Sequence, residues 1–250
     1  MRNLTMAYGE YVVLREVSFD VQRGQVFVIM GGSGCGKSTL LRNLLGLEEP
    51  VTGDILYSGR SFTRASAPER TAMLRQCGVL YQNGALWSSM TLLENVGLPL
   101  AQFTDLAPEE IDQVARLKLA MVGLKGFENA YPSEISGGMQ KRAGVARAIA
   151  LDPQVLFFDE PSAGLDPITS SLIDDLILEL RANLGTTVVV VTHELASIFA
   201  IADDAIFLDG ETRRLTAQGN PHELLAHCSD RRVRRFLTRG REDSAAAETR

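Results

Sequence analysis

Apolar residues are distributed unevenly along this chain, and the longest unbroken runs set the framework. Val26–Met30 (VFVIM), Val155–Phe158 (VLFF) and Thr187–Val191 (TVVVV) carry no polar alternation. A strand buried on both faces of a parallel sheet reads this way, whereas a strand with one wet face alternates. Between the second and third runs lies a helical pattern, Ser170–Leu184, whose Leu172, Ile173, Leu176, Ile177 and Leu180 are expected to form one apolar face. Strand, helix and strand in this order predict a right-handed crossover in a parallel sheet.

The remaining segments fill in around that framework. Tyr11–Leu14 and Val17–Val21 are short, rich in β-branched and aromatic residues, and bracketed by Gly9 and Gly24, so they read as strands. Helical spacing returns at Leu40, Leu41, Leu44 and Leu45. From about Gly84 to Ala150 the β-branched runs thin out, and Pro108–Val122 and Gly138–Ala150 read as helices of an insertion. A strand at Asp204–Leu208 and a helix at Pro221–Ala226 close the pattern. The expected class is α/β: a core of residues 1–83 and 151–225, a helical subdomain of 84–150, and a C-terminal segment of 226–250. That segment holds a basic stretch and, from Arg241 on, a polar, Ala-rich tail expected to be disordered. No internal repeat is present.

Composition narrows the function classes. At 250 residues with 45% hydrophobic and 22% charged content, the chain can bury a substantial core. A net charge of −6 argues against a general nucleic-acid binder, which needs a clustered Lys/Arg excess. Three scattered cysteines, Cys35, Cys77 and Cys228, form no disulfide framework and suit a reducing cytosol. The N-terminus, MRNLTMAYGEYVVL, lacks a signal-peptide pattern, and no stretch approaches the roughly 20 apolar residues of a membrane span. A membrane role is therefore expected to come through a partner.

Two motifs carry chemistry. GGSGCGKST, Gly31–Thr39, satisfies G-x-x-x-x-G-K-[ST] directly after a buried strand and at the start of a helix. Gly31, Gly34 and Gly36 allow successive N–H groups to turn inward, and the helix N-terminus adds partial positive charge for the same anion. Lys37 can reach the outer phosphates of a nucleoside triphosphate, and the Ser38 hydroxyl can ligate Mg²⁺. The bland alternative is a Gly-rich turn. In VLFFDE the apolar strand carries Asp159 and Glu160 to the sheet edge where open α/β sheets bind ligands. Asp159 would hold Mg²⁺ through water, and Glu160 would polarise the water that attacks the γ-phosphate. The competing reading is two acids capping a helix before Pro161.

Between these motifs, ISGGMQKRAGVARAIALDP (Ile135–Pro153) resembles the signature segment of ABC-type ATPases, usually LSGGQ. The resemblance covers nearly the whole chain, because the other motifs follow in family order: Tyr8 at the adenine-stacking position, Gln82 in the Q-loop YQNGALW, Asp166 in the D-loop SAGLD, and His193 in VTHE as switch histidine. It implies a P-loop NTPase fold, a RecA-like parallel-sheet core with an N-terminal antiparallel β subdomain and an inserted α-helical subdomain. It implies ATP and Mg²⁺ as ligands, with Tyr8, Gly31, Gly32, Ser33, Gly34, Cys35, Gly36, Lys37, Ser38 and Thr39 on the nucleotide. Ser38, Gln82 and, through water, Asp159 would serve Mg²⁺, and Glu160, His193 and Gln82 the hydrolysis. Ser136, Gly137 and Gly138 open a helix and would bind the γ-phosphate held by a second copy, which makes the working unit a two-fold homodimer with two sites. The family's first strand usually starts further upstream, so Met1 is read as an internal or alternative start.

Two positions depart from the pattern. Met139 replaces the signature Gln, and since the phosphate-binding groups there are backbone N–H, activity is expected to survive. Cys35 inside the phosphate loop reads as a small filler, with a redox switch as the alternative.

Within the family, the chain is most similar to ATPases of intermembrane phospholipid transport, the Mla type. YQNGALWSSMTLLENVGLPL, YPSEISGGMQKRAGVARAIALDP, GLDPITS and SDRRVRRFLTRG carry that likeness. It implies a separate permease, a periplasmic lipid-binding (MCE-type) subunit and a small STAS-domain protein, with this chain at the cytoplasmic face of the inner membrane. The rivals are a solute importer of amino acids or metals, which shares every catalytic residue, and a DNA-maintenance ATPase of the SMC or Rad50 kind. The latter needs hundreds of coiled-coil residues between phosphate loop and signature, and no sustained heptads occur here. The arginine-rich stretch Asp230–Arg241, around Val233, Phe236 and Leu237, reads either as a helix packing its apolar side on the core or on a partner subunit, or as a basic amphipathic helix on a membrane surface.

Overall fold

A computed structural model describes residues 1–240; the tail expected to be disordered lies outside the described residues. In chain order the elements are β1 (Arg2–Tyr8), β2 (Tyr11–Val17), β3 (Val26–Gly31), α1 (Lys37–Leu44), β4 (Thr52–Asp54), β5 (Leu56–Tyr57), β6 (Arg60–Ser61) and α2 (Ala67–Leu74). There follow β7 (Cys77–Leu80), α3 (Leu92–Phe103), α4 (Pro108–Met121), α5 (Gly137–Ala148), β8 (Val155–Asp159), α6 (Pro167–Leu184) and β9 (Thr187–Val191). The chain ends with α7 (Leu195–Ile201), β10 (Asp204–Asp209), β11 (Arg214–Gly219), α8 (Pro221–His227) and α9 (Arg231–Leu237). Two compact units result, one from Met1–Arg70 with the described residues from Val190 on, the other from Thr71–Val189.

The first unit holds an antiparallel sheet in the order β2-β1-β4. Its central strand, β1, has no counterpart among the expected strands, and Val17–Val21 is not a strand, because β2 ends at Val17. Arg2–Tyr8 (RNLTMAY) is weak in β-formers, yet Leu4 and Met6 alternate into the core at 0% and 1% exposure, and pairing on both sides holds the strand. The same unit carries β11-β10-β3, with β10 parallel to β3 and β11 antiparallel at the edge. Every residue of β3 is buried, as its uninterrupted apolar run requires. β11, RLTAQG, lies half-exposed on the edge, which is why its polar sequence gives no strand signal.

In the second unit β7 runs parallel to β8, pairing Cys77 with Val155 through Leu80 with Phe158. Helix α3 is started by a capping box: Thr91 accepts from the Glu94 N–H, and the Glu94 carboxylate accepts from the Thr91 N–H. Helix α6 begins at the Asp166 cap with Pro167 in its first turn and ends at Gly185 in the left-handed conformation. Its buried face is Ile173, Leu176, Ile177 and Leu180; Leu172, assigned to that face above, is 54% exposed. Leu172 lies one turn after Ile168, which is 77% exposed, so both belong to the outward side of the helix.

The basic stretch at the end of the first unit forms α9, and its apolar side is consumed by packing. Val233 and Leu237 are buried, and the Phe236 ring sits 5.2 Å from that of Phe207 on β10. The apolar side of this helix is thus packed on the core, as the first of the two readings expects. Among the described residues no helix is long and apolar enough to cross a membrane.

Candidate functional site

In the first unit the chain leaves β3 at Gly31, turns through residues 32–36 and enters α1 at Lys37. Gly36 is the residue before the helix, with φ 103°, a conformation that side chains resist; a Cβ there would also lie 2.9–3.0 Å from Val13 and Leu14. No side chain among the described residues caps α1, so the partial positive charge of its first turn is left for an anion. Lys37 is buried, and its ammonium donates to the carbonyls of Gly31 (2.8 Å) and Gly32 (3.0 Å), which places the cation inside the loop. Gly32, Ser33, Gly34 and Ser38 are exposed around it.

Cys35 is 3% exposed, and burial pushes its thiol pKa up although Lys37 pulls the other way. A Cβ on Gly31 would lie 2.6 Å from the Cys35 sulfur and one on Gly210 3.5 Å from the Cys35 Cβ, so Cys35 is packed between the start of the phosphate loop and the turn after β10. Tyr8 is 50% exposed; its hydroxyl donates to the Glu48 carboxylate at 2.8 Å and stands 3.4 Å from the Thr39 hydroxyl. His193 is exposed, one residue beyond Thr192, whose N–H donates to the Ile29 carbonyl at 3.2 Å. That bond brings His193 to the end of β3 at which the phosphate loop begins.

The second unit carries the carboxylates, the Q-loop and the signature. β8 delivers Asp159, and Glu160 follows with φ 47°, an unusual backbone state for a non-glycine residue. The Glu160 carbonyl accepts from the Ala163 N–H at 3.1 Å and from the Lys141 ammonium at 3.2 Å. The same ammonium donates to the Gln82 carbonyl. Lys141 is 6% exposed; burial pushes its pKa down, against the pull of Asp159 and Glu160. Further along α5, Arg147 donates to the carbonyls of Ala85 (2.6 Å) and Gly84 (2.9 Å). The buried Asn95 side chain accepts from the Trp87 N–H at 2.7 Å and donates to the Trp87 and Met90 carbonyls. The Q-loop is thus fixed by three polar side chains through its main chain. A cavity of about 400 Å³ lies beside it, lined in part by Arg75, Tyr81, Pro99, Phe103 and Arg147.

Ser136 caps α5, its hydroxyl accepting from the Met139 N–H at 3.3 Å. Met139 therefore contributes its backbone to the cap whatever its side chain. A Cβ on Gly138 would lie 2.5 Å from the Thr169 methyl, so only glycine fits where α6 approaches. Asp166 accepts from the Thr169 hydroxyl (2.5 Å) and from the N–H groups of Thr169 and Ile168, and these bonds hold its carboxyl below the usual range. The D-loop acid is therefore also the cap of α6. Lys141, Arg147 and Asn95 were not picked out from the sequence. The available signal was three cations, Lys141, Arg142 and Arg147, in a helix rich in Gly and Ala, GGMQKRAGVARA.

The sequence pattern of the ABC transporter family matches residues 14–163. The chain is 40% identical over 237 residues to the intermembrane phospholipid transport system ATP-binding protein MlaF of Escherichia coli K12, covering 95% of this chain and 87% of that one. It is 38% identical over the same length to the probable ribonucleotide transport ATP-binding protein mkl of Mycobacterium leprae, of which it spans 67%; it spans 65% of the mkl proteins of Mycobacterium tuberculosis. Among solved structures, the ATP-binding cassette MJ0796, a dimer in a post-hydrolysis state bound to ADP and Pi, superposes with a TM-score of 0.79 at 32% identity, over 88% of this chain and 97% of that one. The cbiO1 protein of Clostridium perfringens, part of the transporter complex cbiONQ, gives 0.82 at 28% identity, over 99% and 97%.

Proposed function

This chain belongs to the ABC transporter family of ATP-binding proteins, and from that premise we propose that it hydrolyses ATP to drive a separate permease moving phospholipid between two membranes. The observation that carries the phospholipid reading is the 40% identity to a protein of that function, running through 95% of this chain. The mycobacterial relative named for ribonucleotide transport is 38% identical, so the cargo is where the two readings divide.

The residue roles follow from the local chemistry. Lys37, held inside the loop by two carbonyls, neutralises the outer phosphates of ATP, and the uncapped N-terminus of α1 supplies N–H groups to them. Tyr8 offers an exposed ring to the adenine. Ser38, Gln82 and, through water, Asp159 offer hard oxygen donors of the kind Mg²⁺ takes, and that ion would offset phosphate charge. Glu160 accepts a proton from the attacking water as its oxygen bonds to phosphorus, and the bond from phosphorus to the bridging oxygen of ADP breaks. His193 donates to the γ-phosphate.

The dimeric neighbour supports a homodimer in which Ser136, Gly137 and Gly138 of one copy bind the γ-phosphate on the other. Asp166 lies in the D-loop, a turn of that interface in this reading. The Q-loop and the cavity beside it are the proposed contact with the permease, which holds the chain at the cytoplasmic face of the inner membrane. An MCE-type periplasmic subunit and a STAS-domain protein complete the assembly, and nucleic acid has no part in it.

Affinity purification from the native membrane tests this. Recovery of a permease with a periplasmic lipid-binding subunit and bound phospholipid is the expected result. A permease with a soluble-solute receptor, or ribonucleotide uptake lost on deletion, would overturn the cargo assignment and leave the ATPase standing.

A further inference from the structure

Lys141 is buried to 6% exposure, and a lone ammonium at that depth is costly unless its N–H groups are satisfied. Its ammonium joins two main-chain carbonyls 78 residues apart in sequence, those of Gln82 and Glu160. Both lie at points where backbone direction decides where a functional side chain goes. Glu160, at φ 47°, occupies a region that non-glycine residues hold only when their surroundings over-determine it. Its carbonyl accepts from the Ala163 N–H and from the Lys141 ammonium. A third element joins them: Lys141 stands on α5, little more than one turn from the Ser136 cap.

We propose that Lys141 is a positioning residue for ATP hydrolysis, one ammonium on the signature helix that fixes the main chain of both Gln82 and Glu160 and so aims the carboxylate at the attacking water. The proposal rests on the reading of Glu160 as the group that polarises that water. A neutral side chain of the same length would pack as well and leave both carbonyls without the cation. The Glu160 peptide would then relax toward an unstrained state, turning the carboxylate while leaving Lys37 and the phosphate loop untouched. Substrate binding and the chemical step are thereby separated, because the nucleotide is held elsewhere.

The experiment uses the purified full-length chain, with ATP affinity measured directly and kcat and KM measured at saturating Mg²⁺. Lys141→Met is expected to lower kcat about ten-fold or more, the scale of one lost hydrogen bond to a charged group, with ATP affinity within about three-fold of wild type. Lys141→Arg, which can again reach two carbonyls, is expected to recover most of that loss. Glu160→Gln is the control for the underlying reading, and Lys141→Met added to it is expected to cost little more. Wild-type kcat in Lys141→Met, or a loss that falls equally on ATP affinity and is not recovered by Arg, overturns the proposal. Normal turnover by Glu160→Gln overturns the reading of Glu160 instead, whatever Lys141→Met does. Should Lys141→Met fail to fold, Lys141→Gln, which keeps two N–H donors but loses charge and reach, takes its place with the same kcat loss expected and the same outcomes deciding.

Discussion

The Tyr8 hydroxyl is bonded to the Glu48 carboxylate, 2.8 Å from either oxygen, so the exposed ring at the end of β1 is anchored to the loop after α1. This bond spans 40 residues and holds the ring beside Thr39, 3.4 Å from the hydroxyl. An exposed aromatic fixed by its polar tip can stack a base without paying for its own ordering.

Removing the ring and removing the anchor should therefore have different effects. Tyr8→Ala is expected to weaken ATP binding by about 1–3 kcal/mol, the usual value of one base on one aromatic. GTP should weaken by a similar amount, because every base offers a π-face. Tyr8→Phe, which keeps the ring and loses the bond to Glu48, should cost less than a few-fold. Equilibrium titration with both nucleotides measures this, and a Tyr8→Ala variant with unchanged affinity would return the residue to a packing role.

The signature glycine makes a steric prediction. A Cβ at Gly138 would meet the Thr169 methyl at 2.5 Å, so Gly138→Ala should destabilise the fold by about 1–3 kcal/mol in denaturant titration. Thr169→Ser removes that methyl but keeps the hydroxyl that donates to Asp166. Combined with Gly138→Ala it should recover most of the loss, a non-additivity that identifies the contact. If the double variant is as unstable as the sum of the singles, the contact is not what requires glycine.

How much of this was readable beforehand follows from what each feature asks of its residues. The buried parallel strands need uninterrupted apolar runs, so β3, β8 and β9 stand out in the sequence. β1 and β11 are held by pairing, β1 between β2 and β4 and β11 along β10, and RNLTMAY and RLTAQG carry little propensity of their own. The phosphate loop and the signature cap are local, and spacing alone locates them. Lys141 is different in kind: its partners are backbone carbonyls 59 and 19 residues away, and any sequence can supply a carbonyl. A surface lysine and a buried one spell the same letter.

The C-terminal helix offers a prediction with a pH sign. Arg232 pairs at 2.6 Å with Asp209, whose side chain is 7% exposed. Burial raises the Asp209 pKa, but the Thr212 hydroxyl, the N–H groups of Glu211 and Thr212, and Arg232 together bring it below the ordinary value. A depressed carboxylate stabilises the fold fully above its unfolded pKa of about 3.9, and that stability is lost as pH falls through the folded pKa. Arg232→Ala should thus cost about 1–3 kcal/mol at pH 7, less than a fully buried pair because the arginine is 42% exposed, and its effect should shrink below about pH 4. A penalty that stays constant on acidification would mean that Arg232 acts through packing and not through the carboxylate.

Cys35 separates a filler from a redox switch, and its burial states which to expect. At 3% exposure its thiol pKa is raised, chiefly by burial, so the thiolate that reacts with electrophiles and oxidants is scarce in the native state. Peptide mapping after brief maleimide treatment at pH 8 should find Cys35 labelled more slowly than the less buried Cys77 and Cys228, and slower still with ATP bound. The linkage runs opposite to that of Asp209. Above the unfolded thiol pKa of about 8.5, the unfolded chain loses the proton while the native one keeps it, so stability falls as pH rises. Cys35→Ala should flatten that decline between about pH 8.5 and 10 and leave kcat within about three-fold of wild type. Labelling of Cys35 ahead of the other two, with ATPase loss that thiols reverse, would make it the switch and not the filler.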